Sequence, residues 1–163
     1  MFRVGIIVAS DKGAKGERID QSGKLIAEIM TENGYKIEKT VILPDDRQVL
    51  AQEMIDMCDK LKLDLILTSG GTGFSPRDWT PEATLDVVDR QVPGIPEAMR
   101  YESLKITPKA MLSRAVAGIR KQTLIINLPG SPKAVQENLA TILPALQHGL
   151  EVLKGTAGDC ARK

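Results

Sequence analysis

Asp64-Leu-Ile-Leu-Thr-Ser-Gly-Gly-Thr-Gly73 is the stretch on which the reading of this chain turns. Its first half, Asp64 to Thr68, is a short continuous apolar run. That is the pattern of a strand covered on both faces, not of one alternating between core and water. Its second half sets three glycines within four positions directly behind the strand, which lets backbone N–H groups approach a phosphate or a purine closely. An ordinary tight turn needs only one. The loop is not a Walker A loop, because no Gly-Lys-Ser/Thr follows it. It is not a dinucleotide fingerprint either, because the third glycine of G-x-G-x-x-G would fall on Pro76.

Working outward, the same buried-strand pattern recurs at Val4 to Val8, Lys36 to Leu43 and Thr123 to Asn127. Segments of helical period lie between these runs. Asp20 to Asn33 carries Leu25, Ile26, Ile29 and Met30 and stops at Asn33-Gly34, with Asp20 expected as its cap. Asp46 to Leu61 places Val49, Leu50, Met54, Met57 and Cys58 on one side, capped by Asp46. Ser131 to Leu153 is a long final helix that Pro144 should kink or interrupt. Strands alternating with helices imply right-handed crossovers and a mostly parallel sheet between helical layers. The expected fold is therefore a three-layer α/β/α arrangement in one domain spanning residues 1–163.

The middle of the chain is less regular. Thr80 to Asp89 predicts a short helix, with Thr80 as its cap and Pro81 in the first helical position. Pro93-Gly94 breaks the pattern, Pro96 to about Lys105 restarts it, and Pro108 to Ser113 allows a turn or two more. Ala115 to Ile119 reads as a strand. Only Arg120 to Gln122 separates it from the next strand, so the pair predicts a hairpin and one antiparallel edge strand.

Composition narrows the function. The chain has 163 residues, about the size of one domain, with 42% hydrophobic and 26% charged residues. Its 22 Lys and Arg against 21 Asp and Glu give a net charge of +1, which lacks the basic excess of a nucleic-acid binder or a polybasic membrane anchor. Two Phe, two Tyr and one Trp are too few for a base-stacking platform. No apolar run approaches the roughly 20 residues of a membrane helix. The opening Met1 to Ser10 is too short an apolar stretch for a signal peptide and reads as a strand. Cys58 and Cys160 stand in no metal-ligand spacing and are expected as free thiols in a reducing cytosol.

In a parallel sheet, the loops after the C-terminal ends of the strands share one edge, and ligands bind there. Here those loops carry Ser10-Asp11, Pro44-Asp45-Asp46, Ser69 to Gly73 with Arg77-Asp78, and Asn127 to Pro132. Asp78 reads either as a plain loop charge, paired with Arg77 or solvated, or as a Mg²⁺ ligand beside a phosphate-binding loop, since a hard cation wants oxygen donors. Asp46 is taken as a helix cap, which leaves Asp45 as a spare carboxylate. Ser131 is either a cap or a ligand contact at a helix N-terminus. Ser113-Arg114 suits phosphate. The sole histidine, His148, lies late in the last helix and far from every motif, so no nucleophile constellation emerges. The chemistry implied is metal-assisted transfer at phosphate.

Ser69-Gly-Gly-Thr-Gly73, followed by Arg77-Asp78-x-Thr80-Pro81-Glu82-Ala83-Thr84, resembles the long signature of the molybdopterin adenylyltransferases. Asn127-Leu-Pro-Gly-x-Pro132 resembles their second signature. Ser10-Asp11, Asp20-x-Ser22-Gly23, Pro44-Asp45-Asp46 and Met111-Leu-Ser-Arg114 match in the same order, so the resemblance runs along nearly the whole chain. Trp79 stands where a small aliphatic residue is commoner, and Ser131 where the family varies among polar residues.

The resemblance implies an enzyme that uses Mg-ATP to adenylylate the terminal phosphate of molybdopterin and releases pyrophosphate. The product then receives molybdate or tungstate. By position, Asp78 would help hold Mg²⁺ at the ATP phosphates, and Asp45 would act at the reacting centre through metal or substrate. Gly70, Gly71, Thr72 and Gly73 would line the adenylyl pocket, with Pro129 and Gly130 nearby. Ser103, Ser113 and Arg114 would lie toward the pterin and its phosphate, with Ser10 and Asp11 as further substrate contacts. The resemblance further implies a cytoplasmic homotrimer, or a hexamer of trimers, with the molybdate-inserting enzyme as a partner. Two alternatives stay open. One is the molybdate-inserting enzyme itself, whose large additional domains 163 residues would not hold. The other is a non-catalytic paralogue that binds pterin or nucleotide as a carrier or assembly partner.

Overall fold

The structure is a computed structural model, and it describes residues 1–158. Its elements follow in chain order: β1 (Arg3–Ala9), α1 (Asp11–Ala14), α2 (Ser22–Glu32), β2 (Lys36–Leu43), α3 (Arg47–Asp59), β3 (Leu65–Ser69), α4 (Thr80–Val87), β4 (Arg90–Gln91) and α5 (Gly94–Leu104). A 3₁₀ turn (Pro108–Leu112), β5 (Ala117–Arg120), β6 (Thr123–Leu128) and α6 (Pro132–Leu153) complete it. The strands form one six-stranded sheet in the order β2-β1-β3-β6-β5-β4. β1 pairs in parallel with both β2 and β3, and β3 in parallel with β6.

β3 and β6 are buried along their whole length, as their unbroken apolar runs require. Because side chains alternate across a strand, each strand feeds two cores. Leu65, Leu67, Ile6 and Ile126 pack with Ile26 and Met30 of α2, Met99 of α5 and Leu139 and Leu146 of α6. Ile66, Ile7 and Ile125 point to the other face, against Leu50, Met54 and Met57 of α3 and Ala83 and Val87 of α4. The expected three layers and mostly parallel sheet are present, and every crossover delivers its loop to the same edge.

The local expectations divide. Asp46 caps α3, accepting from the Val49 amide at 3.0 Å, and the Asp20 carboxylate accepts from the Gly23 amide at 2.8 Å in the first turn of α2. The hairpin between β5 and β6 is antiparallel as expected, but β5 is not the edge. β4 pairs antiparallel with it from outside, so β5 alone runs against the other five strands. Two exposed polar residues, Arg90 and Gln91, give no apolar run from which that edge strand could be read. Val49 is exposed, because α3 turns only Leu50, Met54, Met57 and Cys58 inward. Pro144 does not interrupt α6, which runs unbroken for 22 residues with Pro144 on its exposed side. Cys58 is buried, and desolvation pushes its thiol up to about 11. Cys160 lies outside the described residues. No helix among the described residues is long and apolar enough to cross a membrane.

Candidate functional site

Four loops meet at the C-terminal edge of β1, β2, β3 and β6. After β1, Ser10 caps α1 by accepting from the Gly13 amide at 3.0 Å. Asp11 and Asp45, from the loops after β1 and β2, bind each other's backbone reciprocally. Asp11 N–H donates to Asp45 Oδ2, and Asp45 N–H donates to Asp11 Oδ1, each at 3.0 Å. Arg77 reaches across with two hydrogen bonds to the Asp11 carboxylate, at 2.8 and 3.0 Å. The Arg77–Asp78 ion pair, one of the readings of Asp78, is therefore not formed. Arg77 holds Asp11 below the ordinary carboxylate range. Asp45 is pushed the other way, first by desolvation and then by the neighbouring charges of Asp11 and Asp78.

The glycine loop needs its glycines. Gly70 and Gly71 have φ of +92° and +69°, where a side chain is strained. A Cβ on Gly70 would meet the backbone oxygen of Ala9 at 2.6 Å, and one on Gly71 would meet Thr80 Oγ1. Ser69 Oγ donates to Pro129 O at 2.8 Å and Gly70 N–H to Leu128 O, which binds this loop to the Asn127 to Pro132 turn. In that turn Ser131 caps α6, accepting from the Ala134 amide.

The start of α4 differs from expectation. Trp79, not Thr80, occupies the cap position, and no side chain caps the helix. Thr80 is fully buried and its hydroxyl finds no hydrogen-bond partner. Its backbone is held instead: Thr80 N–H donates to Gly71 O, and Thr80 O accepts from Thr84 Oγ1 at 2.9 Å. Beneath this, the buried Asn127 donates to Thr84 Oγ1 at 2.9 Å and Thr68 Oγ1 at 3.0 Å, and accepts from the Val116 amide. A satisfied polar network thus ties β3, β6, α4 and the residue just before β5 together beneath the loop.

The loop acts as a partition between two cavities. The first, about 770 Å³, is lined by Ser10, Asp45, Gly70, Gly71, Asp78 and Gly130, among others. The second, about 280 Å³, is lined by Thr72, Gly73, Pro129, Ser103 and Ser113, together with Arg100 and Lys109. Asp11 stands behind Asp45 and lines neither cavity. Arg114 also lines neither: its guanidinium is bonded to Gly73 O, Asp78 O and Glu82. Sequence reasoning missed Arg100 and Lys109. They lie on α5 and the 3₁₀ turn, with no motif around them, and only folding brings them beside Ser113.

Asp45 and Asp78 are the carboxylates that could hold a cation beside the loop. Among the described residues there is no group of three or more acidic, His or Cys side chains placed to bind a metal. Two suffice for Mg²⁺, which usually keeps several waters and takes phosphate oxygens as its remaining ligands. Both carboxylates face bare glycine. A Cβ on Gly71 would stand 3.3 Å from Asp45 Oδ1, and one on Gly73 would stand 3.0 Å from Asp78 Oδ2. Both carboxylates also line the first cavity, whose volume of about 770 Å³ leaves room for an ion with its waters, and the residues fit the group.

The family described as "Probable molybdopterin binding domain" matches residues 5–148. The chain belongs to this family. It is 43% identical over 157 residues to the molybdopterin adenylyltransferase of Helicobacter pylori strain J99, covering 94% of this chain and 89% of that one. It is 40% identical over 156 residues to the molybdopterin adenylyltransferase of Escherichia coli K12, covering 91% and 80%. The crystal structure of the molybdopterin biosynthesis enzyme MoaB from Thermus thermophilus superposes with a TM-score of 0.90 at 48% identity, over 95% of this chain and 98% of that one. Within the molybdopterin-binding fold, the four converging loops are thus those that the sequence motifs mark.

Asp45 gives a pH signature. Its folded pKa lies above the ordinary 3.8, so protonated Asp45 stabilises the fold fully below that value, and the contribution is lost as pH rises through the raised one. At neutral pH its ionised carboxylate is a cost. Asp45→Asn keeps an oxygen for the Asp11 amide. It is expected to melt at the same temperature as the parent or higher at pH 7, while turnover falls at least tenfold. Calorimetry and a turnover assay on one preparation check both halves. A lowered melting temperature with normal turnover would make Asp45 a structural residue.

Proposed function

We propose that the protein is a molybdopterin adenylyltransferase, with Mg-ATP in the first cavity and molybdopterin in the second. The observation that carries this reading is the glycine loop standing as a partition, with Asp45 and Asp78 on one side and Ser103, Ser113, Arg100 and Lys109 on the other. An oxygen of the pterin's terminal phosphate attacks the α-phosphorus of ATP. The bond from that phosphorus to the β-phosphate bridging oxygen breaks, and pyrophosphate leaves. A phosphate monoester is largely dianionic at pH 7, with a second pKa of about 6, so the nucleophile needs no general base. The absence of a histidine from the site motifs agrees with that, His148 being exposed on α6.

When bound, Mg²⁺ would neutralise charge on the ATP phosphates, and Asp78 and Asp45 would hold it. The backbone N–H of Gly71, on the first-cavity side of the loop, with the N-terminal end of α6 behind Gly130, favours the nucleotide's negative charge. Arg100 and Lys109 attract and orient the pterin phosphate. Ser103 and Ser113 supply hydroxyls toward the pterin, and Ser10 a further polar contact. The chemistry is positioning and electrostatics rather than covalent catalysis.

The deciding experiment is pyrophosphate release by purified protein with molybdopterin and Mg-ATP. Adenylyl-molybdopterin should appear in equal amount. Ligand binding without release would identify a carrier instead. In this reading the protein works in the cytoplasm and hands its product to a molybdate-inserting enzyme. It assembles with threefold symmetry as a trimer or a hexamer. Light scattering at micromolar concentration should give three or six times the 17.7 kDa chain mass, and a monomer would refute the assembly.

A further inference from the structure

Arg114 makes three side-chain hydrogen bonds across the site. Its Nε donates to Gly73 O at 2.7 Å and its Nη2 to Asp78 O at 2.8 Å, while Nη1 pairs with Glu82 Oε1. Its own amide donates to Thr72 O at 2.9 Å. Each guanidinium nitrogen thus has an acceptor within the protein, and two of them are the carbonyls that bracket the loop from Gly73 to Asp78. Inside that loop, Ser75 N–H donates to Asp78 Oδ2 at 3.0 Å and Asp78 N–H to Ser75 O at 2.9 Å. Glu82 completes the arrangement, and its second oxygen, Oε2, is sealed from water without a hydrogen-bond partner. The guanidinium it faces keeps this half-buried carboxylate in place.

We infer that Arg114 is a positioning residue, a planar clamp that fixes both ends of the loop and thereby aims the Asp78 carboxylate into the first cavity. It is not a ligand of the pterin phosphate. The inference rests on the proposed role of Asp78. A phosphate ligand would present free N–H groups to a cavity, whereas Arg114 lines neither one and spends its nitrogens on the partition. The cations that do line the second cavity are Arg100 and Lys109. The clamp needs the fixed fork of a guanidinium. Lysine keeps the charge but, as a compact point charge, cannot span two carbonyls and a carboxylate at once.

Arg114→Lys separates the two roles, because a phosphate ligand tolerates that change better than a clamp does. Three readouts apply: hydrogen exchange of the peptide covering residues 73–79, Mn²⁺ affinity in the presence of a non-hydrolysable ATP analogue, and molybdopterin affinity. The amides of Ser75 and Asp78 should exchange at least tenfold faster and Mn²⁺ should bind at least fivefold more weakly. Molybdopterin affinity should stay within twofold, and kcat should fall with KM for the pterin unchanged. Glu82→Gln should repeat the pattern in milder form, and it carries the test if Arg114→Lys does not fold. Unchanged exchange over residues 73–79, unchanged Mn²⁺ affinity, or a pterin affinity lost tenfold would each overturn the inference. Exchange and metal binding do not depend on turnover, so a wild-type protein that released no pyrophosphate would defeat the proposed function and leave this result standing.

Discussion

Asp78→Asn is expected to lower turnover by about two orders of magnitude, on the order of 3 kcal/mol of transition-state stabilisation. Asn keeps the size of Asp and one oxygen, so the Ser75 amide retains its acceptor. What is lost is the negative charge beside the glycine loop, where a cation would offset the charge on the transferring phosphates. The fold should hardly notice. Asp78 caps no helix, Arg77 is engaged by Asp11 rather than by Asp78, and Arg114 grips the Asp78 backbone, not its side chain. The melting temperature should therefore stay within about 2 °C, since the half-buried Asp78 side chain leaves the Ser75 amide its acceptor when changed to Asn. Molybdopterin affinity should survive, since Asp78 lines the first cavity only. Melting temperature, pterin affinity and pyrophosphate release on one variant give the answer. Near-normal release would remove Asp78 from the mechanism, and a collapsed melting temperature would make it a structural residue.

Gly70→Ala should be the most damaging conservative change in the loop. At φ +92° a side chain is already disfavoured, by roughly 1–2 kcal/mol. The new methyl would also stand 2.6 Å from Ala9 O, a backbone atom at the end of a central strand that cannot swing aside. Together these should cost at least about 2 kcal/mol, a fall in melting temperature of roughly 4–8 °C for a chain of this size. The surviving folded protein should bind ATP poorly, because any relief shifts the loop that forms the cavity wall. Gly130→Ala is the control, since its Cβ would meet Gly70 Cα at an ordinary 3.5 Å. Equal melting temperatures for the two variants would mean that the loop relaxes freely.

Local sequence signals located the sheet and most of the site. Continuous apolar runs marked β1, β3 and β6, because a strand covered on both faces has no polar side to show. Asp46 was legible as a cap because a cap acts on amides two or three residues away, and Asp20 still accepts from the Gly23 amide although Gln21, not Asp20, occupies the cap position of α2. The glycine loop was legible because three glycines in four positions mark a backbone that another group approaches closely, and two of them, Gly70 and Gly71, do adopt positive φ. Thr80 was misread as a cap for a related reason. Its side-chain type suits a cap, but the strand-to-helix connection draws its backbone to Gly71 O and turns its hydroxyl into the core. β4 was invisible because two polar residues become a strand only when β5 offers them a partner.

By itself, then, the sequence determined most of the elements and the cap of α3, the layer order, and the convergence of Ser10, Asp45, Gly70 to Gly73, Asp78 and Gly130 on one edge of the sheet. Those follow from periodicity, from backbone conformations restricted to one residue type, and from the rule that parallel strands end together. Only the tertiary structure decided which charge faces which. It paired Arg77 with Asp11, set Arg114 across the loop to Glu82, brought Arg100 and Lys109 to the second cavity, and raised Asp45 while lowering Asp11. The physical reason is range. Caps and turns act within a few residues, while an ion pair or a desolvated carboxylate depends on groups tens of positions away, brought within a few ångströms by the packing of the whole sheet.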